Sequence, residues 1–491
     1  MRNPWRAVAH MSRQQLQDLQ NKKLHHFVNT YLYPFSPHYR KVFDDNNIDP
    51  RTIRTIDDLR RIPFTSKRNF IEQGTFKEFV QAPDEAKIKS FWPKSKLLCL
   101  AKDKIFKGPD YVKEKLSEEF KPVLMTFTTG TTSTPIPFLY SNYDIQNLHL
   151  SGARMVHLFE VGESEILLNI FPYAPHLAFW QVVFGGFSSH RLALSTGGGK
   201  TLGREGNLRA IEKMKPTVVL GVPSYVYHLF REAKEQGCQL SYIKKVVLGA
   251  SRVTTGFKIK LAELLQSMGA DHVSVFGTYG FTESRCAWAE CPTELEQSSG
   301  YFLYPDKEIF EIVDPETGEP KGEGEDGEIV YTSIDSRASS VLRYRTGDFV
   351  KGGIVYSECP YTKMCVPRLS SDITRLSDVK DLQLSKIKGA LVNLNHFSSI
   401  LSNMPIIDEW QLEIRKKNDD PYEVDEMVLY LCVQKSCNQD ELKDKIKKQM
   451  QSMTEVCPNT IEFIDMKEMV KRLGLETENK EKRILDKRPK S

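Results

Sequence analysis

The sequence has little excess of either charge and no long apolar run. Lys and Arg number 68 against 64 Asp and Glu, for a net charge of +4 over 491 residues. A protein that mainly binds a nucleic-acid backbone needs a larger basic surplus, so we expect no nucleic-acid partner. The longest stretch without Asp, Glu, Lys or Arg, 166–190, contains Pro172, Pro175 and the pair Gly185-Gly186. Because these residues disfavour a continuous apolar helix, we expect no membrane span.

Cysteine is scarce, and no secretory signal follows Met1. Nine cysteines occur in the chain, and no apolar segment with a small-residue cleavage site stands at its start. A disulfide scaffold is therefore excluded, and we expect a cytoplasmic protein with free thiols. The 40% apolar and 27% charged content excludes a disordered or collagen-like chain.

Short β-rich runs alternate with helical patterns over most of the chain. The runs 218–220, 245–248 and 273–276 are separated by helical patterns near 225–236 and 257–268. This alternation predicts an α/β fold in which helices cross over between parallel strands. From about Tyr301 the chain changes to strands punctuated by glycine, which indicates a β-rich subdomain.

A second, smaller α/β pattern begins after about Ser370. Strand patterns at 409–414 and 426–433 are followed by a helical pattern near 440–453. We therefore predict two domains, a large N-terminal domain of residues 1–372 with mixed sheets and a small C-terminal domain of residues 373–491.

A loop rich in hydroxyl groups is the first sign of chemistry. Residues 128–135 read Thr-Thr-Gly-Thr-Thr-Ser-Thr-Pro and follow an apolar strand pattern. Backbone N–H groups and hydroxyls in one turn can bind phosphate, with glycine allowing close approach. A plain surface loop has the same composition and remains the alternative.

Two further turns place acidic residues after strand patterns. Residues 278–283 read Thr-Tyr-Gly-Phe-Thr-Glu, so Glu283 could hold magnesium and Tyr279 could cover a purine. Residues 343–348 read Arg-Tyr-Arg-Thr-Gly-Asp, and a buried Asp348 could accept the two hydroxyls of a ribose. Taken singly, each is also compatible with an ordinary turn that exposes its acid.

In this order and spacing, the three motifs resemble those of the adenylate-forming (AMP-binding) superfamily, and the chain looks like its phenylacetate–CoA ligase branch. The resemblance extends over nearly the full length, in residues 36–40, 62–67, 249–251, 311–318, 388–392 and 479–488.

The resemblance implies a two-step reaction. A carboxylic acid attacks the α-phosphate of ATP to give an acyl-adenylate, and a thiol then displaces AMP. It implies ATP, Mg²⁺ and CoA as cofactors, with a carrier-protein phosphopantetheine thiol or an amine as the other acceptors.

The resemblance also assigns roles to individual residues. Catalytic roles fall to Lys480, as a mobile lysine, to Glu283, which would hold magnesium, and to Thr131. Nucleotide-binding roles fall to Thr128, Thr129, Gly130, Thr132, Gly249, Ala250, Ser251, Tyr279, Gly280, Thr282 and Asp348.

Such enzymes swing the small domain between half-reactions, which implies a hinge near 370–378. The arginine at the domain junction that contacts the ribose is Arg375 or Arg368. The chain also departs from the family pattern, because Ser133-Thr134-Pro135 stands where Gly-Lys-Pro is usual. Loss of that lysine leaves a catalytically degenerate nucleotide-binding relative as the alternative function.

Aromatic residues near these motifs suggest an aryl or arylacetic acid as substrate. The candidates for the acid pocket are Phe127, Phe138, Phe171, Tyr173, His176 and Phe179. Core packing is the alternative role for each. The oligomeric state stays open, with a homodimer as one option.

Three cysteines lie where some members of the branch hold structural zinc. They are Cys291, Cys359 and Cys365, with Cys286 or a water as the fourth ligand. Free thiols are the alternative.

Overall fold

The computed structural model describes most of the chain. The described residues are 3–72, 76–128, 136–376, 385–387, 390–392, 397, 400–402, 404–417, 425–434, 437–454, 457–474 and 481–488.

The large domain contains twelve of the α-helices in the described ranges. They are α1 (Arg13–Phe27), α2 (Tyr33–Phe35), α3 (Pro37–Asp45), α4 (Lys67–Glu72), α5 (Glu85–Phe91), α6 (Lys94–Lys107), α7 (Pro109–Phe120), α8 (Asn142–Leu158), α9 (Leu177–Ser189), α10 (Gly199–Met214), α11 (Pro223–Glu235) and α12 (Thr255–Gln266). Local sequence defines where several of them begin: Ser12 and Ser141 form capping boxes, and Thr254 accepts a hydrogen bond from the backbone of α12.

The central sheet has six strands. They are β3 (Ile166–Asn169), β4 (Leu192–Ser195), β5 (Val218–Gly221), β6 (Lys245–Leu248), β7 (Ser274–Phe281) and β8 (Cys286–Ala289). Their order is β4-β3-β5-β6-β7-β8, and all pairs are parallel except β7 with β8. Because α9 to α12 connect successive parallel strands, the carboxyl ends of β3 to β7 share one edge of the sheet.

The charge-free run 166–190 divides between β3 and α9. In the described part of the chain, no helix is both long enough and apolar enough to cross a bilayer.

A β-rich subdomain packs beside the central sheet. Its strands are β9 (Tyr301–Phe302), β10 (Glu308–Val313), β11 (Gly327–Ser333), β12 (Tyr344–Val350), β13 (Ile354–Val355), β14 (Arg368–Leu369) and β15 (Ile373–Arg375). They form two antiparallel sheets in the orders β10-β11-β12-β15 and β13-β14-β9. A separate antiparallel hairpin consists of β1 (Leu124–Phe127) and β2 (Pro137–Tyr140), which flank the hydroxyl-rich segment in the sequence.

The C-terminal residues form a second unit with its own core. Its elements are β16 (Ser385–Ile387), β17 (Ala390–Val392), β18 (Ile407–Lys416), β19 (Asp425–Val433), α13 (Gln439–Thr454), β20 (Thr460–Phe463), α14 (Met466–Leu473) and β21 (Ile484–Asp486). A four-stranded sheet of order β20-β19-β18-β21 packs its apolar face around Trp410, Leu412 and Ile446.

The predicted α/β class is confirmed by this architecture, with its crossover helices, β-rich subdomain and small α/β unit. The boundary at 372/373 stays a prediction. Strand β15 hydrogen-bonds to β12, so residues up to Arg375 extend the sheet of the large domain. The end of the predicted hinge, 377–378, lies outside the described residues.

Polar and charged contacts join the two units. The Arg231 guanidinium on α11 lies 3.1 Å from the Asp408 carboxylate on β18, and His228 Nε2 lies 3.1 Å from Glu409 Oε1. Lys260 Nζ on α12 donates to the carbonyl oxygens of Ile407 and Asp408 at 2.8 Å. These partners are mostly buried, and ion pairs shielded from water are screened less by salt than exposed ones.

A buried carboxyl group lies at the start of β10. Glu308 Oε1 accepts hydrogen bonds from the Trp288 indole at 2.6 Å and from the Tyr304 backbone at 2.8 Å. Its Oε2 lies 3.9 Å from the Cys286 thiol. Burial raises the pKa of Glu308 to about 8, so the neutral acid is the form that the folded protein prefers at neutral pH.

We predict that Glu308→Gln reduces the pH dependence of stability. Because the folded-state pKa exceeds the unfolded value, proton binding by Glu308 stabilises the fold at low pH, and this contribution is lost as pH rises through about 8. A glutamine keeps the acceptor for both hydrogen bonds without carrying a charge. The melting temperature of the wild type should therefore fall more steeply than that of the variant between about pH 5 and about pH 9.

The matched control is Glu319→Gln, an exposed acid in the turn between β10 and β11. This variant should keep the wild-type profile. If the melting temperatures of the wild type and Glu308→Gln fell equally steeply with pH, Glu308 would not titrate as described.

Candidate active site

Two of the sequence motifs, 249–251 and 278–283, lie side by side at the carboxyl edge of the central sheet. Gly249 to Ser251 follow β6 directly, and Thr278 lies beside them in β7. A Cβ atom at Gly249 would collide with the Thr278 hydroxyl, so only glycine fits this close approach. Ala250 is held at a φ of 66°, a left-handed conformation that costs energy for a residue with a side chain. Such strain is concentrated at ligand-binding loops.

Asp348 connects Tyr279, at the carboxyl end of β7, to the β-rich subdomain. Its Oδ2 accepts a hydrogen bond from the Tyr279 hydroxyl at 2.7 Å, and its Oδ1 lies 3.0 Å from the Arg375 guanidinium. Arg375 is the direct register partner of Asp348 across β12 and β15. Burial and the neighbouring Asp348 carboxylate raise the pKa of Tyr279, so its hydroxyl keeps the proton that it donates.

The Tyr279 ring is held by stacking. The rings of Trp288 and Tyr301 stack on it, with centroids 5.7 and 5.9 Å away. The ring that the sequence assigns to a purine face is thus fixed in orientation by two aromatic neighbours.

Glu283 is hydrogen-bonded to Tyr344 of the third motif, residues 343–348. Its Oε1 accepts a hydrogen bond from the Tyr344 hydroxyl at 2.6 Å. Burial raises the pKa of Glu283, while this hydrogen bond and the charge of Arg375 oppose the rise. The carboxylate would therefore gain from a nearby cation.

The residues flanking the hydroxyl-rich loop are also fixed. Thr128 N–H donates to the Ile136 carbonyl at 3.1 Å, and Ile136 N–H donates to the Thr128 hydroxyl at 3.1 Å. The carbonyl of Phe127 lies 3.1 Å from His176 Nδ1 and accepts from the Thr282 hydroxyl at 3.4 Å. These contacts place the base of the loop beside the turn that carries Glu283.

Several predicted residues lie outside the described residues, and their roles stay predictions. They are Thr129, Gly130, Thr131, Thr132 and Lys480.

The two candidate arginines have different environments. Arg375 contacts Asp348, whereas the Arg368 guanidinium donates to the carbonyl oxygens of Ser299 and Ser357. Arg368 pairs in register with Phe302, in the other sheet of the subdomain. Of the two, Arg375 is therefore the one joined to the predicted ribose ligand.

The predicted aromatic residues do not all share one surface. Tyr173 follows β3, is 63% exposed and packs edge-on against Phe179. Phe171 lies within 3.5 Å of the position that a Cβ on Gly249 would occupy. Phe138 packs in the core against Phe70, and Phe171 and Phe179 are also buried members of that core, so of these four only Tyr173 is largely exposed.

Sequence reasoning missed residues that act through long-range contacts. Tyr344 lies within a quoted motif, yet its partner Glu283 is 61 positions away. Gly197 and Gly198, after β4, adopt positive φ and lie against Tyr173 and Pro172 at the same sheet edge. The glycine run 197–199 was the available signal for this loop.

The described residues do not bring the three candidate zinc thiols together in one cluster, and all three are free cysteines there. Cys291 Sγ and Cys359 Sγ lie 3.9 Å apart, and hydrogen bonding between the two thiols lowers the pKa of Cys359. Within the described ranges, no cluster of three or more His, Cys, Asp or Glu side chains is arranged to hold a metal ion. The backbone N–H of Cys365 donates a hydrogen bond to the carbonyl oxygen of Ala9 in the N-terminal segment. Cys286 lies beside Glu308.

A magnesium ion bound to a nucleotide needs fewer protein ligands than a structural zinc ion. Mg²⁺ is usually held by one or two carboxylates, with phosphate oxygens and water completing its octahedron. Glu283 fits this requirement as a single carboxylate whose ionised form is disfavoured by burial and would be stabilised by a cation. It lies next to the base of the predicted phosphate loop.

Comparison with known proteins agrees with this arrangement. Residues 55–335 match the family model described as AMP-binding enzyme. The phenylacetate-coenzyme A ligase of Thermus thermophilus is 25% identical over 83% of this chain and 80% of its own length. The enzyme of that name from Aromatoleum evansii is 25% identical over 70% of this chain and 68% of its own length. An indoleacetate–lysine synthetase of Pseudomonas savastanoi is 26% identical over 46% of this chain and 52% of its length.

The fold is also similar to that of a ligase of known structure. A crystal structure of 2-hydroxyisobutyryl-CoA ligase in the postadenylation state is similar with a TM-score of 0.74 at 17% identity, over 99% of this chain and 92% of that one. The same ligase in its thioesterification state gives a TM-score of 0.62.

The resemblance stated from the sequence is confirmed, because the family model covers more than half of the 491 residues and the motif residues described here converge on one site. The chain belongs to the AMP-binding enzyme family, in its phenylacetate–CoA ligase-like branch.

Proposed function

We propose that this enzyme activates an aryl or arylacetic acid with ATP and transfers the acyl group to the thiol of CoA. The observation that carries the proposal is the convergence of Asp348, Tyr279 and Glu283 at one sheet edge, each with a fixed partner. The names of the relatives from Thermus and Aromatoleum support the arylacetic acid and the CoA thiol.

The first step would join two anions. A carboxylate oxygen of the acid attacks the α-phosphorus of ATP, the bond to the bridging oxygen breaks, and pyrophosphate leaves. The site must therefore supply positive charge and fixed donors. Thr128 to Thr132 and Lys480 are the residues that we assign to this task. Asp348 would accept the ribose hydroxyls, and Glu283 would hold the magnesium ion that neutralises phosphate charge.

The second step would release AMP. The thiol sulfur attacks the acyl carbon, the thiol proton is lost, and AMP leaves with the oxygen that came from the acid. Positioning of the adenylate by Asp348 and Tyr279 would serve both steps, since the nucleotide is present in each.

The acid would bind where Phe171, Tyr173 and Phe179 line the sheet edge. Tyr173 and Phe179 form an edge-on pair with ring centroids 5.2 Å apart. His176 would border this surface from the start of α9, where it contacts the Phe127 carbonyl. An aromatic ring suits such a surface because edge-on and offset contacts between rings are favourable.

A second candidate function differs only in the acceptor. The similarity to an indoleacetate–lysine synthetase favours an amine in place of CoA, with the same acyl-adenylate as intermediate. A carrier-protein thiol is a third acceptor of the same chemical type as CoA.

The test is pyrophosphate release from ATP and magnesium with a panel of aryl, arylacetic and fatty acids, each with and without CoA. Release that depends on an arylacetic acid and rises with CoA is expected. Acid-dependent release that rises only with an amine would move the assignment to the second candidate. Measurable ATP binding without release for any acid would instead indicate a degenerate nucleotide-binding relative.

We predict that Lys480→Ala lowers adenylation by about two orders of magnitude, because it removes the charge that offsets the contact between carboxylate and phosphate. ATP binding should change little. Acid-dependent exchange of pyrophosphate into ATP measures the first quantity, and calorimetric titration with ATP measures the second.

The control is Lys482→Ala, which removes the same charge from an exposed position in the same tail. It should keep wild-type exchange. Equal loss in both variants would mean that only the net charge of the tail matters.

We predict that Tyr344→Phe moves the acid limb of the pH–activity profile to higher pH. The Tyr344 hydroxyl stabilises the ionised form of Glu283, so its loss raises the pKa of that carboxyl further. Pyrophosphate exchange at limiting magnesium should then decline most below neutral pH.

Tyr331→Phe is the matched control, since its hydroxyl reaches the Ser284 carbonyl rather than Glu283. The account of Glu283 fails if Tyr344→Phe leaves the acid limb in place.

A further inference from the structure

Helix α6 is strongly basic and has no fully buried residue. Residues 94–107 include five lysines against one acid, Asp103. Its inner face is nevertheless attached to the large domain. Leu97 and Leu100 pack against the main core, and Lys96 Nζ donates to the Tyr31 hydroxyl at 2.7 Å. The helix is therefore anchored along one side and open on the other.

The outer face of α6 exposes large apolar side chains. Leu98 is 69% exposed, Ile105 78% and Phe106 76%. Leu98, Lys102 and Ile105 are separated by four and three positions, so they lie along one side of the helix. Exposed apolar side chains grouped in this way mark an interaction surface, whereas scattered ones do not.

Two further exposed aromatic residues lie on the helices that precede and follow α6 in the sequence. Phe91 at the end of α5 and Tyr111 in α7 are 39% and 37% exposed. Of the twelve large hydrophobic residues exposed in the described part of the chain, five thus lie between positions 91 and 111.

Positive charge surrounds and interrupts this apolar surface. Lys94, Lys102 and Lys104 are exposed on α6. Asp103, the acid of the helix, is contacted by Lys107 at 3.5 Å and by Lys115 of α7 at 2.7 Å. The acid is thus already offset, and α6 itself keeps a basic surplus.

We propose that α6 docks the protein onto an anionic phospholipid surface. Helices that lie in a membrane interface combine Leu, Ile and Phe with lysines, and they bind more tightly where acidic lipids attract the lysines. Leu98, Ile105 and Phe106 would enter the boundary between headgroups and acyl chains. Lys94 and Lys102 would extend their methylene stems along that boundary to reach lipid phosphates.

The lysines favour a membrane over an apolar groove on a protein. Lys102 lies between Leu98 and Ile105 on the same side of the helix, so a protein groove covering both would also have to remove water from its ammonium group. Burying an unpaired charge is costly. At a bilayer the same ammonium group stays hydrated and close to phosphate.

The test is co-sedimentation of the full-length protein with phosphatidylcholine vesicles, with and without phosphatidylserine. The wild type should sediment with the acidic vesicles, and added salt should weaken the binding. The triple variant Leu98→Gln/Ile105→Gln/Phe106→Gln should lower the partition coefficient by at least about tenfold. The variant Lys94→Gln/Lys102→Gln/Lys104→Gln should also lower it.

The matched control replaces two apolar residues of similar exposure elsewhere. Phe187 and Leu192 are 68% and 63% exposed near the β4 edge, and Phe187→Gln/Leu192→Gln should bind acidic vesicles like the wild type. Circular dichroism melting curves check that every variant is folded, and the binding assay does not depend on the enzymatic activity.

Three results would overturn the proposal. Failure of the wild type to sediment with acidic vesicles is the first. Binding that survives the apolar triple variant is the second, because adsorption would then be electrostatic and unrelated to the outer face. The third is a dimer of the wild type, seen by sedimentation velocity without vesicles, that the triple variant converts to a monomer, since a second copy of the chain would then cover this face.

Discussion

The carboxylate of Asp348 is the group on which the geometry of the site depends. It joins three segments that are distant in sequence: β7 through Tyr279, its own strand β12, and β15 through Arg375. A carboxylate with a 7% exposed side chain is stable there only because an arginine and a phenol partner it. Since β15 is the last strand of this antiparallel sheet, the Tyr279 hydrogen bond and the Arg375 ion pair together connect the carboxyl edge of the central sheet to the end of the β-rich subdomain.

Polar and charged side chains also link the small unit to the large one. Asp408 and Glu409 at the start of β18 face Arg231 and His228 of α11. Glu409 is further paired with Arg483 at 2.7 Å, and Arg483 with Glu481 at 2.9 Å. Glu481 follows Lys480 directly in sequence, so the interface between the units continues by a chain of ion pairs to the tail that carries the assigned lysine. Ion pairs, unlike apolar packing, require particular geometry, which suits an interface that must define one orientation.

The fold class could be predicted because strand and helix patterns are visible within short segments of the sequence. Alternating strand and helix patterns identified β5 to β7 with their crossover helices, and the motif order identified the family. Contacts set by strand register could not be predicted in this way. Arg368 and Arg375 both lie in short strands, and only the partner strand decides that one faces Phe302 and the other Asp348. The grouping of thiols also depends on tertiary contacts, since Cys291 and Cys359 are 68 positions apart in the sequence and their sulfurs lie 3.9 Å apart in the fold.

The central claim is that the acid attacks the α-phosphorus of ATP at this site. It is tested most directly by supplying an arylacetic acid with heavy-isotope oxygens in its carboxylate, together with CoA, and analysing the AMP by mass spectrometry. The account predicts that each AMP carries one labelled oxygen, because the oxygen joining acyl carbon to phosphorus leaves with AMP. Unlabelled AMP, formed at the same rate as pyrophosphate, would show that water attacks the nucleotide and would contradict the account.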